Sequence, residues 1–94
     1  MDLECFLRAL ANNRRLQILE YLKKPRKHFP DQAQDGVCGL AIARKLKISQ
    51  PAASEHLHIL VSAGLIRARR TGQWTFYRRD KAAIRDIKRL LSEL

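Results

Sequence analysis

The stretch from Leu40 to Leu60 constrains the fold more than any other part of the chain. It reads as a short helix, a tight turn and a second helix. Leu40, Ala43 and Leu46 recur at helical spacing on one side of the first helix. Ala43 is small where a second helix would cross, which permits close approach. Ile48 supplies an apolar plug for the turn. Ser49 is a good N-cap, able to accept a hydrogen bond from a backbone N–H two or three residues on. Pro51 then falls in the first helical turn, where its missing N–H costs nothing. Ala53, Leu57 and Leu60 predict the buried side of the second helix. Its other side carries Gln50, Ala52, Ser54, Glu55, His56 and His58. These side chains are short or hydrogen-bonding, which suits base-pair edges in a major groove. An ordinary helical hairpin has the same spacing, so the flanking sequence decides.

Ninety-four residues make one domain, 1–94, with a modest core, so burial against a partner subunit is expected to add to it. No run of about 18 apolar residues is present, and no membrane span is expected. The start, Met1 to Cys5, is acidic and does not read as a signal peptide, which gives a cytoplasmic location. The net charge of +10 points to a polyanionic partner. The charge clusters. One group is Lys23, Lys24, Arg26 and Lys27, and a second is Arg44, Lys45 and Lys47. The third is Arg67, Arg69, Arg70, Arg78, Arg79 and Lys81. The second and third flank the candidate reading helix.

Asp2 to Ala11 predicts a first helix, and Arg14 to Leu22 a second with Leu16, Leu19 and Leu22 on one face and Ile18 beside them. Asn12 or Asn13 separates them. Pro25 to Gly36 is rich in breakers and is expected to be a loop inserted between helices; His28 in it is either a ligand or nothing. Gly64 ends the reading helix. Leu65 to Arg70 and Trp74 to Arg78 then read as two strands around a Gly72 turn. This basic hairpin is a wing, with Arg69, Arg70 and Arg78 suited to phosphates. A solvated edge hairpin protected by charge is the alternative. Asp80 to Leu94 predicts a last helix with Ile84, Ile87, Leu91 and Leu94 as its stripe. Segments 1–11 and 80–94 have no obvious partner in the domain and are expected to form a homodimer, which would set two reading helices over a palindromic site. The expected fold is mostly α with a small β-hairpin, a winged helix–turn–helix in the order α-α-α-α-β-β-α.

The order and several motifs resemble the ArsR-type family of bacterial winged-helix repressors. The most specific match is Ser49-Gln50-Pro51-Ala52-Ala53-Ser54-Glu55-His56-Leu57-His58-Ile59-Leu60, followed by Ala63-Gly64-Leu65-Ile66. Asn13-Arg14-Arg15-Leu16-Gln17-Ile18-Leu19 is similar to the family's second-helix signature. The resemblance implies a homodimeric, operator-binding repressor released by a metal ion, a metalloid or thiol chemistry; several members have lost such sensing. The family's metal motif has two cysteines separated by one residue. Here Cys38 remains and Gly36 stands in the other position. The family's zinc site on the last helix draws on His, and no His follows His58. In related sensors N-terminal cysteines reach the partner's third helix, so Cys5 and Cys38 are candidate sensor thiols across a dimer. Two thiols are too few for a closed zinc site. They suffice for a disulfide or polysulfide switch, or for a thiophilic metal or metalloid. Cys5 as a small packed hydrophobe is the alternative.

The expected function is sequence-specific binding of duplex DNA. Lys45, Lys47, Ser49, Arg69, Arg70 and Arg78 would hold phosphates, with Gln73 beside them in the wing turn. Gln50, Ala52, Ser54, Glu55, His56 and His58 would face bases. The alternatives are a winged-helix module for RNA or protein, or a regulator with no inducer site. An enzyme is not expected: the chain has no glycine loop for phosphate, no nucleophile elbow and no clustered carboxylate pair. No resident cofactor or metal is expected.

Overall fold

The computed structural model describes residues 3–32 and 36–94. In chain order the elements are α1 (Leu3–Leu10), α2 (Asn13–Lys23), α3 (Pro25–His28), β1 (Val37–Cys38), α4 (Gly39–Leu46), α5 (Gln50–Ser62), β2 (Ile66–Thr71), β3 (Trp74–Arg79) and α6 (Lys81–Ser92). The fold is a winged helix–turn–helix. Asp2, expected in the first helix, lies outside the described residues.

The stretch from Pro25 is more ordered than a loop. Pro25 opens the short helix α3, and Phe29 behind it is buried against the core. The Gln32 side chain accepts the Cys38 N–H at 2.9 Å. That bond leads the chain into β1, which pairs antiparallel with β3. The expected β2–β3 hairpin forms, and β1 adds a third strand to it. The sheet runs in the order β1-β3-β2, and Val37 of β1 is buried. A two-residue strand has no periodicity to read, which is why sequence spacing missed it.

The core corrects two stripes. Leu16 is exposed and Leu40 only half-buried, while Ile18 and Ile42 are buried in their place. Both expected stripes ran in steps of three residues. At 3.6 residues per turn each such step falls about 60° short of a full turn. The first leucine of each set is thus carried off the buried face. Ile18 with Leu22, and Ile42 with Leu46, are four apart and stay on it. Ala53, Leu57 and Leu60 of α5 are all buried as spaced.

Caps set the ends of the helix–turn–helix. The Asn12 side chain accepts from the backbone N–H groups of Arg14 and Arg15 to start α2. The Ser49 hydroxyl accepts from Ala52 N at 3.2 Å to start α5. At the end of α4, Lys47 N–H donates to Arg44 O and Ile48 N–H to Ala43 O. At the end of α5, Gly64 N–H donates to Val61 O and Leu65 N–H to Leu60 O. Both are Schellman closures, and both need a left-handed residue. Gly64 (φ 79°) supplies it in one and Lys47 (φ 58°) in the other. Ile48 and Leu65, each one residue beyond, drop their side chains onto the core. Asp80 starts α6 by accepting from Ala83 N at 3.0 Å.

Candidate DNA interface

The first residues of α5 and the wing turn meet in one cleft. Gln50, Ser54 and Gln73 line it together with Trp74, Thr75, Tyr77 and Cys38, around a space of about 320 Å³. Gly72 takes a positive φ of 61° at the first of two turn residues, and Gln73 does not. That is the pattern of a type II′ hairpin, which glycine allows. Gln50, Ser54 and Glu55 are exposed. Ala52 is half-buried. Trp74, 46% exposed, stands at the rim of the cleft. By sequence Trp74 is a strand former, and its place as a large aromatic next to a glycine turn is the signal for a further role.

The two histidines go separate ways. His56 is half-buried, and its Nδ1 lies 3.3 Å from Nη1 of Arg15. The same guanidinium donates to Ala9 O at 2.6 Å and to Arg8 O at 3.3 Å. Arg15 thus ties the end of α1 to the middle of α5, a link that no spacing rule reveals. His58 is exposed and lines a wider cleft of about 650 Å³ between α1 and the C-terminal half of α5, with Cys5 and Arg8. His28 packs against the Tyr21 ring, centroids 4.8 Å apart. Its partial burial, and then the Lys45 ammonium, lower its pKa.

The basic residues divide by strand face. In the β2–β3 register Arg67 pairs with Arg78 and Arg69 with Phe76, so Arg67, Arg69 and Arg78 share one face. Arg70 pairs with Thr75 on the other, and its Nε donates to Gly72 O at 3.2 Å beside the turn. Arg67 is paired with Asp80 at 2.9 Å. The Ala83 N–H bond and then Arg67 hold the Asp80 carboxyl below its ordinary range. Arg79 is diverted inward and donates to Leu19 O at 3.0 Å. Lys45 lies with its Nζ 5.3 Å from the Tyr21 ring centroid, a cation–π contact on the α2 side. Lys47 is exposed in the turn, as is Arg44 on α4.

The cysteines of one chain line separate clefts. Cys5 is exposed on α1, and Cys38 is half-buried where β1 meets α4. Burial pushes the Tyr77 phenol up, and the Cys38 thiolate charge adds to the shift. Among the described residues no three His, Cys, Asp or Glu side chains come together in a way that could hold a metal ion. No described helix is long and apolar enough to cross a membrane.

These features have close counterparts in known proteins. The profile described as "Bacterial regulatory protein, arsR family" matches residues 37–68, from β1 through the reading helix into the wing. The HTH-type transcriptional regulator YbzH of Bacillus subtilis (strain 168) is 50% identical over 82 residues, 82% of each chain. The structure of HlyU from Vibrio cholerae N16961 superposes with a TM-score of 0.69 at 30% identity, over 96% of this chain and 87% of that one. The homodimeric winged helix–turn–helix DNA-binding domain of Mb0332 from Mycobacterium bovis gives a TM-score of 0.70 at 34% identity, over 95% and 73%. The chain belongs to the ArsR family and is a transcriptional regulator with a winged helix–turn–helix DNA-binding domain.

Proposed function

We propose that the chain binds a palindromic operator in the cytoplasm as a homodimer, with α5 in the major groove and the wing turn against the adjacent backbone. The observation that carries this reading is the shared cleft of Gln50, Ser54 and Gln73. It aligns hydrogen-bonding groups of helix and wing along one edge. Gln50, Ser54 and Glu55 face bases, with Ala52 and His58 at the margins, and His56 steadies the helix through Arg15. Ser49 as the cap of α5, Lys47 in the turn before it and Arg70 beside the wing turn meet phosphates. Arg69 and Arg78 on the opposite wing face, and Lys45 beside Tyr21, act at longer range. Titrating a labelled duplex and a structured RNA at moderate salt tests the reading; equal affinity for both overturns it.

Leu91 (41% exposed) and Leu94 (91%) continue the α6 stripe beyond the domain's own core, and Leu7 (43%) is exposed on α1, which packs beside α6. Segments 1–11 and 80–94 bury these side chains between two copies. Leu91→Glu should shift the chain to monomer in sedimentation, and an unchanged mass sinks the assignment. Thiol control enters through Cys38, which is half-buried and lines the reading cleft. Cys5 of one subunit and Cys38 of the other would join in a disulfide, giving two electrons and two protons to an oxidant such as peroxide. Operator binding that responds equally to peroxide in the wild type and in Cys38→Ser would refute it. A thiophilic metal or metalloid at the same pair would weaken operator binding in the wild type and leave Cys38→Ser unaffected.

A further inference from the structure

A second concentration of charge lies away from the reading cleft. It is at the base of the wing, where β2, β3, the end of α2 and α6 line an open cleft of about 680 Å³. Seven basic residues and one acid, Asp80, line it. The wing turn is distant: from the Arg67–Arg78 pair, strand rise alone gives roughly 17 Å at about 3.4 Å per residue. Two of the basic groups are committed, Arg67 to Asp80 and Arg79 to Leu19 O. The other five, Lys23, Arg78, Lys81, Arg85 and Lys88, make no ion pair among the described residues.

The arrangement costs stability in the empty protein. Lys81, Arg85 and Lys88 stand four and three apart on α6, so like charges face each other along one side of the helix. Arg67 and Arg78 are directly opposed across the strands, another unfavourable pair. A concave site lined by one sign of charge concentrates the potential on whatever anion enters. The cleft also has an apolar floor in Leu22 and Ile84. Its volume is that of a small-molecule site, too small to hold a duplex.

We propose that this cleft binds a small anion carrying a chain of phosphates, gripped by Arg85, Lys88, Lys81 and Lys23. Nucleotide and inorganic polyphosphate share this chemistry, and ATP and tripolyphosphate serve as the two probes. Each is titrated calorimetrically into the full chain at about 0.15 M salt, without DNA, where the Debye length of about 8 Å suppresses diffuse attraction. One saturable site per chain is expected, with a rise in melting temperature on binding. Tighter binding of ATP identifies a nucleotide; equal or tighter binding of tripolyphosphate identifies the free polyphosphate.

The double variant Arg85→Ala/Lys88→Ala should bind the tighter probe at least tenfold more weakly. It removes only mutually repelling surface charges, so it should melt no lower than the wild type without ligand. Its affinity for a short duplex should stay within twofold. Unsaturable binding, or unchanged affinity in the double variant, overturns the proposal. A larger loss in Arg70→Ala places the anion at the reading cleft and also overturns it. If instead the double variant loses affinity only for long duplexes and neither probe saturates, the occupant is flanking DNA backbone and the small-anion site is wrong.

Discussion

The two ends of α5 follow opposite rules. At its N-terminus Gln50, Ser54 and Glu55 are exposed and make no side-chain hydrogen bond among the described residues. From its middle to its C-terminus the helix is held from several sides. Arg15 reaches His56 at the middle, Leu57 and Leu60 are buried, and the Gly64 closure ties the backbone down. The backbone of the first end is capped by Ser49 while its outward side chains are left for a ligand to engage; the other end is satisfied internally so that the first stays in place. Changes at the C-terminal end should therefore cost stability, and changes at the N-terminal end should cost discrimination.

The largest effect is expected from Leu60→Ala. Leu60 has no exposed surface, so truncation should lower unfolding free energy by about 2–5 kcal/mol. Chemical denaturation measures it, and a loss below about 1 kcal/mol would break the contrast between the ends. Gln50→Ala should leave stability unchanged while reducing operator-over-random preference by about 1–3 kcal/mol. Equal losses on both DNAs would remove Gln50 from the base-reading set. Arg70→Ala should weaken both DNAs together and lower the slope of binding against salt by about one.

Two caps sharpen the comparison. Ser49→Ala and Asp80→Ala should each cost about 1 kcal/mol at neutral pH. They should differ in acid. The Asp80 carboxyl titrates below its ordinary value in the folded protein, so the unfolded chain binds its proton first. Its contribution is complete above the ordinary carboxylate range and is lost as pH falls through the lowered folded value. The Asp80→Ala deficit should therefore shrink in acid, while that of Ser49→Ala should hold. Parallel acid profiles of the two variants would contradict the charged cap. The smallest effect is a gain: Lys47→Gly should relieve the left-handed backbone by up to about 1 kcal/mol, measured as a higher melting temperature, with weaker DNA binding if the Lys47 ammonium meets phosphate.

The reading helix was the most legible part of the chain because each signal there is local. Ser49 caps, Pro51 fits the first turn, and Ala53, Leu57 and Leu60 are spaced four and three apart. Leu16 and Leu40 misled because steps of three drift around a helix. The β1 strand and the His56–Arg15 contact were invisible for a different reason. Each joins segments far apart in the chain, Val37 to Tyr77 and Arg15 to His56. The basic clusters of the sequence were visible as composition, but only strand register divides Arg70 from Arg69 and Arg78.

The paired closures at Lys47 and Gly64 have a mechanical consequence. Backbone bonds close the chain just before α5 and just after it, so both ends of the reading helix are fixed to the core. The position of Gln50 is therefore set from both ends of its helix, through Ile48 on the core before it and Leu65 on the core after it, and the separation of Gln50 from Gln73 follows from how α5 is seated beside the sheet.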